Sequence, residues 1–191
     1  MDVLVGYASE HGSTRGIAQR VASRLRDRGL AAEARPLAAA TDPSCYQAYV
    51  LGSAIHSGDW LPEGAEFLRR NLSALARRPV WLFSVSTVGE RSSAFPPAVA
   101  ARIRRILRLP AAVSAVADAL HPRSHHAFAG VVAADDWGLA GRVFMTGLSG
   151  RYGDHRDWDE IEEWADSIAD GLAAQAAQPG TRAATARQQP A

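Results

Sequence analysis

The chain has 191 residues, 47% hydrophobic and 21% charged, with a net charge of +1; this describes one globular domain, or two at most, and excludes wholesale disorder. All 21 basic residues are arginine, which removes the lysine of Schiff-base chemistry, of P-loop nucleotide triphosphatases and of protein kinases. The single cysteine, Cys45, excludes a disulfide framework and a multi-cysteine zinc site and reads as structural.

Val3 to Ala8 is a short β-branched apolar run suited to a buried strand. Gly12, Ser13 and Thr14 follow, and Ile17, Val21 and Leu25 then recur every four residues, the period of a helix that Arg26, Arg28 and Gly29 close. Leu30 to Leu37 is a weaker second strand, and Tyr46 to Ile55 a third that ends in small residues. Leu61 to Leu75 is a helix with Pro62 in its first turn and Phe67, Leu68, Leu72 and Leu75 inward. Pro79 to Val85 is a fourth strand; Pro97 to Leu109 is a helix with Val99, Ile103, Ile106 and Leu107 on one side; Phe128 to Ala133 is a fifth strand. Asp157 caps a last helix striped by Trp158, Ile161, Trp164, Ile168 and Leu172, with Glu160 suited to its third position.

Strand alternates with helix throughout, the signature of an open parallel α/β sheet with helices on both faces. Five strands suit the doubly wound order 2-1-3-4-5 better than the six-stranded dinucleotide fold. The domain is expected to span 1–174. Residues 175–191 carry no large apolar side chain and are expected to form a disordered tail. No apolar run reaches the roughly 18 residues of a membrane span. The N-terminus lacks the basic and apolar regions of a signal peptide, so a cytoplasmic protein is expected.

Charge is unevenly placed: residues 1–111 sum to +6 and residues 112–191 to −5. Arg69-Arg70, Arg77-Arg78 and Arg102, Arg104, Arg105 and Arg108 fall at helical spacings or helix ends. They read as a solvated helix face, or as a patch for anionic lipid at the inner face of a membrane or for an acidic partner. Nucleic acid is not expected, because no basic stretch is interleaved with stacking aromatics.

In such a sheet a ligand lies beyond the carboxyl ends of the strands, at the switch in strand order. Three loops meet there. In Ser9 to Thr14, hydroxyls at Ser9, Ser13 and Thr14, backbone N–H groups freed by Gly12 and the positive end of the helix suit a phosphate. The loop lacks Gly-x-Gly-x-x-Gly and Gly-Lys-Ser/Thr, so a terminal phosphate monoester, that of FMN, fits better than a dinucleotide or a nucleoside triphosphate. In the second loop, Ser53, Ala54 and Ile55 would let backbone approach a flavin ring. Trp60 belongs either on that ring, worth about 1 kcal/mol beyond burial, or on the following helix. His56 either meets the flavin edge, where it would bond or shuttle a proton, or stands in solvent. In the third loop, N–H groups and hydroxyls around Ser86, Thr87, Val88 and Gly89 would reach the pyrimidine edge; Arg91 either stands in a solvated loop or balances a reduced flavin or a substrate carboxylate, with Phe95 as a second aromatic. His125 and His126 alternate in direction in a strand, so no metal site is expected from the pair.

Tyr7 to Ala18 resembles the flavodoxin signature, in which a strand enters a Thr/Ser-x-Thr-Gly-x-Thr phosphate loop; Ser9, Gly12 and Thr14 match, and His11 replaces a hydroxyl with an imidazole. Val50 to Gly58, Trp81 to Ser86, and Met145 to Gly150 with Asp157 to Ile161 are similar to the menaquinone-dependent protoporphyrinogen oxidase branch of the flavodoxins, over about residues 2–172. The resemblance implies a flavodoxin-like fold, FMN, and quinone-coupled oxidation of protoporphyrinogen IX in heme biosynthesis. The branch usually carries a longer, more basic and aromatic segment where this chain has Ala134 to Arg142.

An FMN-dependent oxidoreductase passing electrons to a quinone is therefore expected, with no protein acid or base assigned to catalysis. The alternatives are a flavodoxin-type electron carrier between protein partners and a flavin- or deazaflavin-binding accessory protein. Carriers are typically acidic around the flavin, whereas this flavin half is basic, which favours the enzyme.

Overall fold

The computed structural model describes residues 1–40, 43–106, 108–136 and 138–177. In chain order they form β1 (Asp2–Ala8), α1 (Ser13–Asp27), β2 (Ala31–Pro36), β3 (Ala48–His56), β4 (Asp59–Trp60), α2 (Pro62–Leu75), β5 (Val80–Ser86), α3 (Pro97–Ile106), α4 (Ala111–Leu120), β6 (Ser124–Ala129), β7 (Val131–Val132), α5 (Leu139–Gly147), β8 (Gly153–Asp154) and α6 (Trp158–Ala177). The main sheet runs β2-β1-β3-β5-β6, all parallel, with two-residue β4 folded back on β3 and β7 paired separately with β8. Setting β4 aside, this is the expected 2-1-3-4-5 order. It reverses between β1 and β3, where the first two strand-end loops lie side by side.

Alternation along β1 sorts the core into two layers. Val3 and Val5 meet Ile17, Val21 and Leu25 of α1 and Ile161, Trp164, Ile168 and Leu172 of α6. Leu4 joins Leu51 and Leu82 against Leu68 and Leu75 of α2 and Val113, Val116 and Leu120 of α4. Each such aliphatic side chain contributes roughly 1.5–3 kcal/mol by leaving water.

α1 and α6 are also tied by charge. Arg20 binds Glu162 (2.8 Å), Arg24 grips Asp166 with two bonds (2.9 and 2.8 Å), and Arg28 reaches Asp166 (2.9 Å) and Asp170 (2.5 Å). Both helices place these residues every four positions, so the basic first half and the acidic second half partly neutralise one another along one seam. Held between two guanidinium groups, Asp166 has its pKa lowered to about 2. Arg104, expected in a solvated basic face, instead donates to the carbonyls of Gly89 (2.7 Å), Arg91 (3.3 Å) and Ser92 (3.2 Å).

Between β5 and β6 the chain differs from expectation. α3 ends at Ile106, which is 71% exposed, and buries only Ala100 fully; α4, after Pro110, packs on the sheet. Leu107 lies outside the described residues. α6 extends to Ala177, so residues 175–177 are helical rather than part of a tail, and 178–191 lie outside the described residues. Its cap is as expected: Glu160 N–H donates to Asp157 Oδ1 (3.0 Å). Cys45 is exposed at the end of a short turn and is not part of the core. Among the described residues no helix is long and apolar enough to cross a membrane.

Candidate functional site

The loop from β1 to α1 is arranged by its own polar groups. Ser9 Oγ accepts from the N–H groups of Gly12 (3.1 Å) and Arg15 (3.4 Å), which folds the loop over the helix end. Gly12 has φ +86°, a conformation side chains resist, and, having no side chain of its own, leaves the capping of α1 to Ser9. Thr14 is 1% exposed and its hydroxyl has no hydrogen-bond partner. An orphaned buried hydroxyl costs about 1–3 kcal/mol unless a ligand or water meets it. Ser13 Oγ accepts from Val131 N–H (2.9 Å), tying the loop to the exit of β6. Beside this loop a cleft of about 570 Å³ is lined by Tyr7 to Gly12, Arg15, Pro36, Ala38 and Glu63, within the usual size of a cofactor site.

The second loop is a tight hairpin. Ser57 (φ 52°) and Gly58 (φ 87°) form its two-residue turn and pair His56 with Asp59 and Ile55 with Trp60. Exposed His56 lies 3.6 Å from the Glu10 carboxylate, which is 3.8 Å from His11, so Glu10 joins the first two loops. Ser53 is fully buried; its hydroxyl donates to Ala54 O and accepts from Leu61 N–H, so its role is to hold the start of α2. Ala54 and Ile55 are half-buried against the α2 layer. Trp60 is 4% exposed and its Nε1 donates to Ser84 Oγ (2.8 Å), which places the ring in the core and not over a ligand. Ser84 Oγ also shares a hydrogen bond with His125 Nε2 (2.8 Å). Burial pushes the His125 pKa down.

The third loop is closed on itself. Ser86 Oγ accepts from Val88 N–H and faces Val88 O; Val88, 2% exposed, bridges to Ser93; Gly89 N–H donates to Ser92 O; Arg104 fastens three of its carbonyls. Gly89 does allow a close approach, but to protein: a Cβ there would lie 2.3 Å from the backbone nitrogen of Ala129. Thr87 is half-buried at the loop start and its carbonyl accepts from Ala94 N–H. Arg91 pairs with Glu163 (2.5 Å) on α6. Phe95 is 6% exposed in a third apolar cluster and meets Phe144 edge-on, so it offers no open shelf. The loop holds one group that sequence reasoning did not single out: Ser92 Oγ is buried without a partner. No spacing in the sequence marks it among several serines.

With this geometry in place, comparison with known proteins identifies the family. The Flavodoxin domain model matches residues 4–157. The chain belongs to the flavodoxin-domain family. No curated protein matches the sequence. Its fold is similar to that of rubredoxin oxygen:oxidoreductase from Desulfovibrio gigas (TM-score 0.59, 16% identity), covering 93% of this chain and 37% of that one. It is similar also to a flavodoxin from Pseudomonas aeruginosa (0.58, 13%; 91% and 99%) and to a metal-soaked flavodiiron core from Synechocystis (0.55, 14%; 92% and 36%). The chain thus spans little more than a third of the two larger proteins, matching them as one flavodoxin-like unit.

Membership of this family implies FMN as cofactor and a flavin-dependent redox role. The flavodoxin-like loop at Ser9 to Thr14 fits the phosphate end: a helix start, a left-handed glycine and an unpartnered buried hydroxyl lie within three residues. At the ring end, His56 and Thr87 remain at the strand-end face, whereas Ser53, Trp60, Val88, Gly89 and Phe95 are committed to packing.

Proposed function

We propose that this flavodoxin-domain protein is an FMN-dependent oxidoreductase that takes electrons from a reduced organic donor and passes them to a quinone, with protoporphyrinogen IX as the donor to which its sequence resemblance points. The observation that carries the cofactor is the unpartnered Thr14 hydroxyl beneath the left-handed Gly12 at the start of α1. When bound, the flavin supplies the redox chemistry. The protein's residues hold and orient it: Ser9, His11, Gly12, Ser13 and Thr14 would receive the phosphate, and His56 and Thr87 would border the ring. Arg15 is the arginine that lines the cleft and would meet a carboxylated donor. Quinones dwell in lipid, and α3 exposes Ile106 (71%) beside Arg102 and Arg105, a surface suited to a peripheral contact with an anionic membrane; α5 exposes Leu139 (81%), Val143 (65%) and Phe144 (50%).

A second reading, an electron carrier between protein partners, is favoured by the burial of Trp60 and Phe95, which withdraws both aromatics expected to form a shelf for a large flat substrate. One experiment separates the two. FMN-loaded protein is mixed anaerobically with protoporphyrinogen IX and menaquinone, and porphyrin fluorescence is followed. A rate well above that of free FMN supports the oxidase. A rate equal to free FMN, with reductive titration proceeding in two resolved one-electron stages, supports the carrier.

A further inference from the structure

We propose that Glu90, His126 and Glu160 form a binding site for one divalent transition-metal cation of the zinc or cobalt class, at the outer edge of the sheet. The three come from separate segments: the loop after β5, edge strand β6 and the first turn of α6. Each brings one ligating atom within 4.8 Å of the other two. Alternation along β6 explains the separation of the histidines, with His125 turned to Ser84 and His126 to Glu160.

The deciding observation is Glu160. Its side chain is 1% exposed; Oε1 lies 3.0 Å from His126 Nε2, and Oε2 is buried with no partner. A buried carboxylate needs a cation and hydrogen bonds to both oxygens. A proton on His126 would answer Oε1 and, through Nδ1 at 3.5 Å, the carboxylate of Glu90, but it would leave Oε2 orphaned. A metal ion chelated by both oxygens of Glu160 answers both. Bound through Nε2, on the Glu160 side of the ring, the ion leaves Nδ1 to donate to Glu90 Oε2 at 3.5 Å. Glu160 and the imidazole thus supply donor types that such ions take, and Glu90 orients the ring behind them.

Glu90 is held in place for this. Its N–H donates to Ala127 O (2.8 Å) and its Oε1 accepts from Ala127 N–H (3.1 Å), which leaves Oε2 toward the ring. The neighbouring positive charge, Arg91, is engaged by Glu163 at 2.5 Å. Glu90 is half-exposed, so water can complete the coordination and the ion has a way in. Bound metal would clasp the third strand-end loop to α6.

The test is calorimetric titration of the purified full chain with zinc chloride, together with the visible spectrum of the cobalt-substituted protein. The flavin absorbance of the same samples is recorded separately, so that a failure of the cofactor reading does not bear on the result. Expected are one equivalent of zinc, a cobalt spectrum of four- or five-coordinate intensity, and affinity at least about tenfold weaker in Glu90→Gln, whose exposed side chain can change without unfolding the protein. Circular dichroism confirms the fold of each variant. The proposal is overturned if the wild-type chain binds no zinc saturably, if Glu90→Gln binds as tightly as wild type, or if His56→Ala removes binding, which would assign the ion to the Glu10, His11 and His56 group.

Discussion

The loops after β1 and after β5 stand at the same end of the sheet and are both rich in serine and glycine, yet they are built to different ends. The first folds around Ser9 and a left-handed glycine and leaves a buried Thr14 hydroxyl with no partner. The third uses nearly everything it has on itself, with Arg104 across its carbonyls and Gly89 against the backbone of β6; only the Ser92 hydroxyl is left over. Polar groups that a fold leaves unsatisfied mark where a ligand is expected, and similar composition does not make similar loops.

The same substitution in the two glycines tests this contrast most severely. Gly89→Ala would put a Cβ 2.3 Å from Ala129 N, a clash with backbone that no rotamer relieves, and is expected to cost about 3 kcal/mol or more in urea unfolding. Gly12→Ala meets nothing closer than an Arg15 guanidinium nitrogen at 3.8 Å, so only the left-handed backbone is penalised, by about 1 kcal/mol. Equal losses would erase the distinction. Gly12→Val adds bulk where the phosphate is expected and should strip FMN from a protein that still folds, measured as flavin per chain after desalting.

Removing polar groups should act in opposite directions in the two loops. Arg104→Ala leaves three carbonyls to water and is expected to destabilise by about 1–2 kcal/mol, read as a lower urea midpoint. Thr14→Val keeps the shape of the side chain and deletes the orphan, so the flavin-free protein should be as stable as wild type or about 1 kcal/mol more stable, while FMN binds more weakly. A Thr14→Val protein that retains FMN fully would remove this hydroxyl from the site.

The order of strands was legible because apolar runs alternate with helical periods, and β1 through β3 and β5 follow theirs closely; β6 does not, running Ser124–Ala129 where Phe128 to Ala133 was expected, because its first four residues are only half-buried at the sheet edge. α4 was not, since an alanine-rich helix with Val113, Val116 and Leu120 has few large residues to declare its period. The phosphate loop was legible from Ser9, Gly12 and Thr14, because backbone chemistry at a helix start depends on local spacing. The ring end was not: whether Trp60 faces a ligand or Ser84, and whether Gly89 approaches a cofactor or Ala129, depends on residues 24 and 40 positions away. The Arg104 clasp was hidden for the same reason.

The smallest expected effect lies outside both loops, in the seam between α1 and α6. The Asp166 carboxyl titrates at about 2 in the fold, below the roughly 3.9 of an unfolded aspartate, so its stabilisation is complete above pH 4 and is lost as pH falls through 2. Asp166→Asn should flatten the fall in unfolding free energy across that window, screened in size by the solvent around the pair. An unchanged acid limb would mean that other carboxylates dominate it.

The same seam sets a schedule for the newborn chain. Arg24 and Asp166 are 142 residues apart, so at ribosomal speeds of roughly 5–20 residues per second α1 leaves synthesis on the order of 10–30 seconds before its partner. Through that interval Val21 and Leu25 face water on one flank and Arg20, Arg24 and Arg28 stand without their acids. Those arginines repel one another and other copies of the same nascent segment, which keeps an apolar helix face from meeting its own kind until α6 arrives to cover it.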